Sequence, residues 1–339
     1  MRATIPLGSV SPLDIAVDSR TGTVWVADGS SGSVTEISAK TGHVLATVVL
    51  SQTDAVVNSI AVDPTHGEVF VTEINLGNLV EFSESHPASQ HVVAGGNTPV
   101  AVAADPAVRT AWVSDEAGTV TEVSYTGTTP TVLHTLSVSG GPGAITADAT
   151  AGLIFVAEYS GNSVAIITAA SRKVRTVKVG KAPGSLAADP LHGDVWVAND
   201  NSDSLSQIQE SAHKVTATYP LGFSPAKVAV QPGAGVYAAN FPANSVTFLP
   251  AGLRLLAPRS ATFRTGRHGS VLITAAGFPA ASVSLSGKLP AGLRWSHSGP
   301  SGHIAGTPKR GTKGTYHLTL RSATSWGRHV SRRLTITVR

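Results

Sequence analysis

One place in this chain recurs with an acid or an amide each time: Asp28, Glu73, Asp115 and Glu158, then Asn199 and Asn240. Each closes a short apolar run built like TVWVAD (23–28) or EVFVTE (68–73). Four carboxylates displayed as an arc offer hard oxygen ligands of the kind that hold Ca²⁺ or Mg²⁺, or that attract a cationic ligand. A local chemistry competes with this one. An Asp or Asn at a strand end accepts N–H bonds from the turn that follows. Glu performs that task poorly, so Glu73 and Glu158 are the copies that a turn explains least. A second position varies where its surroundings repeat, reading Asp14, Ser59, Ala101, Ala144, Ser185 and Lys227. Asp14 and Lys227 lie in the first and last copies and suit either an ion pair across a seam or a ligand site. Asp14, Asp28, Glu73, Asp115, Glu158 and Lys227 are therefore the candidate ligand-binding residues, and no catalytic residue is assigned.

Other polar residues read as structural. Asp18, Asp63, Asp105, Asp148 and Asp189 open turn sequences such as DPTHG and DPLHG, where His66 and His192 share one turn position. Glu36, Glu81 and Glu122 recur in a later strand and are expected on a solvated face. The absence of cysteine excludes disulfides, thiolate metal sites and Cys nucleophiles. No His-rich metal spacing, nucleophile elbow, phosphate-binding loop or dinucleotide fingerprint occurs.

The elements that position these residues follow from the repeat. IAVD, IAVD, VAAD, ITAD, LAAD and VAVQ align, with their last residues (18, 63, 105, 148, 189 and 231) spaced 45, 42, 43, 41 and 42 apart. A second strand follows each, with an aromatic at its third place: Trp25, Phe70, Trp112, Phe155, Trp196 and Tyr237. A third strand follows, and in most copies a fourth. A four-strand unit of about 42 residues is the period of a β-propeller blade. Such a sheet buries both faces against its neighbours, and the aromatic is expected to fill the wedge between blades. The sixth copy lacks a fourth strand. ATIPLG (3–8) echoes ATYPLG (217–222), so the N-terminal strand is expected to complete blade six and close the ring, removing an exposed edge.

Charge divides the chain. Residues 1–256 hold 12 Lys and Arg against 21 Asp and Glu, whereas residues 257–339 hold 13 Lys and Arg and no acid. Alternating strands with turn signals every 8–12 residues predict a small β-sandwich in the second part. The expected architecture is all-β: a six-bladed propeller closed by the N-terminal strand over 1–256, then an Ig-like sandwich over 257–339. No apolar run approaches the roughly 20 residues of a membrane helix.

The pattern seen best in APGSLAADPLHGDVWVAND (182–200) resembles the YVTN-type propeller repeats, related to NHL-type repeats. GFP (277–279), LPAGL (289–293), GHIAGTP (302–308), GTYHLTL (314–320) and LTITV (334–338) resemble the Ig-like modules of bacterial surface and secreted proteins. RSATSWG (321–327) departs from that family's usual Asn. The second resemblance implies a non-catalytic spacer or anchor in an extracellular or cell-surface protein whose leader peptide is absent from this chain. The propeller would then bind a protein or a cell-wall polysaccharide, and the basic module an anionic polymer. No specific nucleic-acid reader is expected, since interleaved aromatics and a reader motif are missing. The alternative is a metal-assisted lyase resembling the streptogramin lyase propellers, whose second strand also ends in Glu.

Overall fold

A computed structural model of the chain describes residues 4–8, 10–52, 54–232, 234–241, 243–250, 254–276, 282–298, 301–323 and 329–339. The GFP segment and the end of RSATSWG lie outside them. Contacts divide the chain into two compact units, Met1–Val230 with Ala238–Val246, and Gln231–Tyr237 with Thr247–Arg339.

The repeat forms one antiparallel sheet per copy, its strands paired in chain order. Sheet one holds Asp14–Asp18, Thr23–Ala27, Ser33–Ser38 and Val44–Val49, and sheet two Val57–Asp63, Glu68–Glu73, Asn78–Ser83 and His91–Ala94. Sheet three holds Pro99–Asp105, Thr110–Asp115, Thr119–Ser124 and Thr131–Ser137. Sheet four follows with Pro142–Asp148, Leu153–Glu158, Ser163–Thr168 and Lys173–Lys178, and sheet five with Pro183–Asp189, Asp194–Asn199, Ser204–Gln209 and Lys214–Pro220. The sixth has three strands, Pro225–Gln231, Gly235–Asn240 and Ser245–Pro250. Residues 4–8 form no strand, so the expected fourth strand of sheet six is not supplied by the described part of that segment.

The turn between the first two strands shows why the sequence folds this way. Asp63 Oδ1 accepts the N–H groups of Thr65 (2.7 Å) and His66 (3.2 Å), and Gly67 takes the positive φ of 72° that ends the turn. Asp18 and Asp148 repeat the device with Arg20 and Thr21 and with Thr150 and Ala151.

Burial between sheets then follows from the alternation. Trp25, Ala27 and Val34 meet Val57, Ile60, Val71 and Phe82 of sheet two. Phe70 and Leu79 meet Val113 and Val123 of sheet three. Trp112 and Val120 meet Ile154, Val156 and Ile167 of sheet four. Phe155, Val164 and Ile166 meet Val195, Val197 and Ile208 of sheet five. The recurring aromatic thus fills the wedge at four successive interfaces, each buried ring contributing about 1.5–3 kcal/mol. Sheet one leaves Ile15 and Val17 62% and 58% exposed.

The second unit contains a two-sheet sandwich. Arg254–Leu256, Gly269–Ala276, Ser301–Gly306 and Leu293–Ser298 pair in that order. Ser260–Phe263, His329–Val338, Gly314–Ala323 and Ser282–Ser286 make the other sheet. The core is apolar: Phe263, Ile273, Val283, Ile304, Leu318, Leu320, Leu334 and Ile336 are buried, with Trp295 packed against them. Gly302 sits under the Trp295 ring, where a Cβ would collide.

Candidate functional site

The strand-two acids are all buried, each at a hairpin between the second and third strands. Asp28 Oδ2 accepts the hydroxyls of Ser33 (3.0 Å) and Thr35 (2.7 Å). Asp115 accepts the N–H groups of Thr98 and Ala117, at 2.8 and 2.7 Å. Glu73 Oε2 accepts Asn78 Nδ2 at 2.9 Å, and burial pushes its carboxyl up while that amide partly offsets the push. Glu158 packs its Cβ close to Gly140 and Gly161. Asn199 and Asn240 donate to Ser204 and Ser206, and to Ser245. One oxygen each of Asp28, Glu73, Glu158 and Asn199 meets no donor among the described residues. The structure holds these residues one per sheet. It gathers no group of three or more acids and histidines suited to a cation among the described residues.

Asp14 and Lys227 are not paired. Asp14 Oδ2 reaches into sheet two, accepting the Ser59 hydroxyl (2.7 Å) and the Ile60 N–H (3.1 Å). Its equivalents do the same: Ser59 Oγ accepts Val102 N–H, and Ser185 Oγ accepts Val228 N–H. Where the variable position carries an acceptor, at Asp14, Ser59 and Ser185, it is therefore a stitch from one first strand to the next. Lys227 is exposed, and its ammonium cannot accept such a bond.

A second polar layer lies at the other end of the strands, at a position the sequence reading did not single out. The residue just after the third strand is Ala39, Glu84, Tyr125, Ala169 and Glu210 in turn. Where it is polar it reaches the strand-one acid of the preceding sheet. Tyr125 Oη donates to Asp63 Oδ2 at 2.7 Å, and His66 Nδ1 lies 2.6 Å from the same oxygen. Glu84 accepts Trp25 Nε1 at 3.0 Å and shares the Arg20 guanidinium with Asp18. Burial raises Asp63, but the Tyr125 and His66 bonds outweigh it and the carboxyl ends below its ordinary value. Asp105, facing Ala169, has no such bond and is pushed up by burial. Burial and the neighbouring Asp18 push Glu84 up to about 7. Burial and Asp148 push Glu210 up to about 8. A position that is Ala in two copies and Glu or Tyr in three, at a fixed offset, was the signal available.

The third-strand acids correct an expectation. Glu81 and Glu122 are buried rather than solvated. The neighbouring sheet covers the third strand, and Glu122 is held by Arg172 of sheet four at 2.9 Å. Glu81 lies beside Glu68, which burial and Glu81 push up to about 7.

The residue directly after each buried acid or amide varies, and it is exposed in three copies, as Glu116, Tyr159 and Phe241, whereas Gly29 is buried and Ile74 and Asp200 are half-buried. Leu76, Glu116, Tyr159 and Phe241 occupy these hairpins, Tyr159 45% and Phe241 69% exposed. A separate cleft of about 420 Å³ is lined by Lys178, Gly180, Ser202, Ser204, Thr218 and Pro220.

Comparison with known proteins bears on fold. Residues 254–339 match the family described as "Putative Ig domain". The structure of U3-55K superposes with a TM-score of 0.64 at 11% identity, covering 73% of this chain and 80% of that one. A chain of the mitotic checkpoint complex gives 0.63 at 13%, covering 74% and 84%. No curated protein matches the sequence. The chain thus joins a propeller-like array of four-stranded sheets, similar in fold to those two structures, to a C-terminal Ig-like domain.

Proposed function

We propose that this is a non-catalytic extracellular or cell-surface binding protein, in which a six-bladed propeller of the YVTN type presents a recognition rim and the Ig-like domain spaces or anchors it. The observation that carries the reading is the contrast at the hairpin tips. A buried acid or amide recurs at each strand end, while the residue directly after it differs from sheet to sheet and is exposed in three of them, as Glu116, Tyr159 and Phe241. Exposed aromatics on a rigid scaffold are favoured anchors for a protein or polysaccharide partner.

Ring closure is part of the proposal. Ile15 and Val17 occupy the places that Leu186 and Ala188 hold in sheet five, where they pack against sheet four. Tyr237, Val246 and Phe248 occupy the places of Phe155, Val164 and Ile166. All five are exposed. On this proposal the N-terminal segment adds the fourth strand of blade six when the ring closes, a pairing that residues 4–8 do not make in the described structure, and Lys227 then lies beside Asp14.

The test is capture of cell-envelope proteins and polysaccharides on the immobilised chain. Wild-type protein retains a ligand that Tyr159→Ala with Phe241→Ala loses. No retained ligand, or equal retention by the variant, overturns the reading. Glu73 keeps a second reading alive, a metal-assisted lyase using Ca²⁺ or Mg²⁺, because it is a buried carboxyl with one oxygen lacking a donor. Calorimetric titration with either cation separates the two, and absence of uptake removes the lyase.

A further inference from the structure

The outer face of one Ig-like sheet carries a regular row of nitrogen-bearing side chains. Gly314–Ala323 and His329–Val338 pair antiparallel, so that His317 faces Thr335, Thr319 faces Arg333, Arg321 faces Ser331 and Ala323 faces His329. The intervening residues Leu318, Leu320, Leu334 and Ile336 are buried in the core. The alternation therefore puts His317, Arg333, Arg321 and His329 on the opposite, outward face, and all four are exposed. They zigzag between the two strands, each diagonal to the next. Diagonal neighbours across an antiparallel pair lie about 7–8 Å apart. The step along the strands is about 6.8 Å, so four positions extend over about 20 Å.

The surroundings are as uniform as the row. Every other outward position on the paired stretches of these strands is Ser, Thr or Ala, and the flanking strands add Ser260, Thr262, Ser282, Ser284 and Ser286. The domain contains no Asp or Glu to neutralise the guanidiniums from within.

We propose that this face binds an extended anionic glycopolymer, its carboxylates or phosphates matched to the four-step row and its hydroxyls to the Ser and Thr positions on either side. The proposal deepens the surface-anchor reading and rests on it for the setting. Guanidinium groups bind carboxylate or phosphate through paired N–H donors. A linear polymer of sugar acids repeats its charge on the length scale of the row. Single-stranded nucleic acid repeats charge similarly, but its readers add Trp, Tyr or Phe platforms for the bases, and none stands on this face among the described residues.

The experiment uses the full chain with polygalacturonate as probe, neutral dextran as control and single-stranded DNA as the competing polyanion, read by calorimetry at two salt concentrations. Wild-type protein is expected to bind polygalacturonate, more weakly as salt rises, and to ignore dextran. Arg321→Ser with Arg333→Ser is expected to weaken binding about tenfold, while Arg321→Lys with Arg333→Lys keeps most of it. Lys309→Ser with Arg310→Ser and Lys313→Ser removes three charges from a loop away from the row and is expected to change affinity less than twofold. Equal loss in the loop variant would reduce the effect to net charge and overturn the site. Tighter binding of DNA through the same two arginines would overturn the glycopolymer. A chain that binds no polygalacturonate but still captures a ligand through Tyr159 and Phe241 sinks this proposal alone.

Discussion

The repeated sheets and the Ig-like domain treat charge in opposite ways. The sheets bury acids throughout: Asp18, Asp28, Asp63, Glu73, Asp105, Asp115, Glu122, Asp148, Glu158 and Glu210 are all nearly inaccessible. Each must find donors or a proton, because an unpaired buried charge is costly. The partners come from the same hairpin or from the next sheet, so the acids tie neighbours together. The Ig-like core holds Ser322 as its one buried polar side chain among the described residues, and places its cations outside. One region uses polar groups to fix how repeated sheets stack. The other packs around a mainly apolar core and carries its charge on the surface.

The comparison breaks hardest at a wedge aromatic. Phe155 is fully buried between sheets four and five. Phe155→Ala should destabilise the repeated unit by about 3–5 kcal/mol. Scanning calorimetry should show one transition moving far down while that of the Ig-like domain stays in place. If both move together, the two regions do not melt independently and the contrast must be redrawn.

This aromatic was legible because it recurs: a residue type returning every 42 or so positions announces its environment. Four-stranded units and turn acids were readable for the same reason, and the sandwich from its alternating strands and evenly spaced turn signals. The stitching role of Asp14 was not, since its equivalents Ser59 and Ser185 share only the capacity to accept an N–H. Glu81 and Glu122 misled because alternation within a strand tells which residues share a face, while the covering of that face by the next sheet depends on packing. The hairpin tips escaped notice because variability carries no period. The outward row on the Ig-like sheet needed the register of two strands, which spacing alone leaves open.

The next effect is pH dependence, and it should separate the two regions. Glu84 and Glu210 have carboxyls raised to about 7 and about 8 in the folded protein, against an ordinary value of 4.5. Between about pH 4.5 and pH 8 the unfolded chain has lost these protons while the folded chain retains them. Stability of the repeated unit should therefore be greatest at the acidic end of that window and decline as pH rises through it. Asp63 acts in the opposite sense: its lowered carboxyl removes stability only as pH falls below about 3.8. The midpoint of the repeated unit should drop on the order of 5 °C between pH 5 and pH 8.5, whereas the Ig-like transition, in a domain without carboxylate side chains, should move much less. Glu84→Gln with Glu210→Gln should flatten the first slope. A slope unchanged in that variant would assign the dependence to other groups.

The smallest effect concerns Glu73, where the two readings of the strand-two acids part. As a buried group whose carboxyl is pushed up, it gains little from its charge. Gln keeps its shape, and one oxygen can still accept Asn78 Nδ2. Glu73→Gln should therefore change stability by less than about 1 kcal/mol, with a sign favouring the variant at high pH, where the wild-type carboxyl must ionise or stay protonated at a cost. Asp115 makes the control within the same series. Its two oxygens accept two backbone N–H groups, so Asp115→Asn replaces one acceptor by an NH₂ that faces a donor, costing about 1–3 kcal/mol. A larger loss at Glu73 than at Asp115, measured by urea titration at pH 7, would mean that the Glu73 charge itself is used. The cation reading would then regain ground over the structural one.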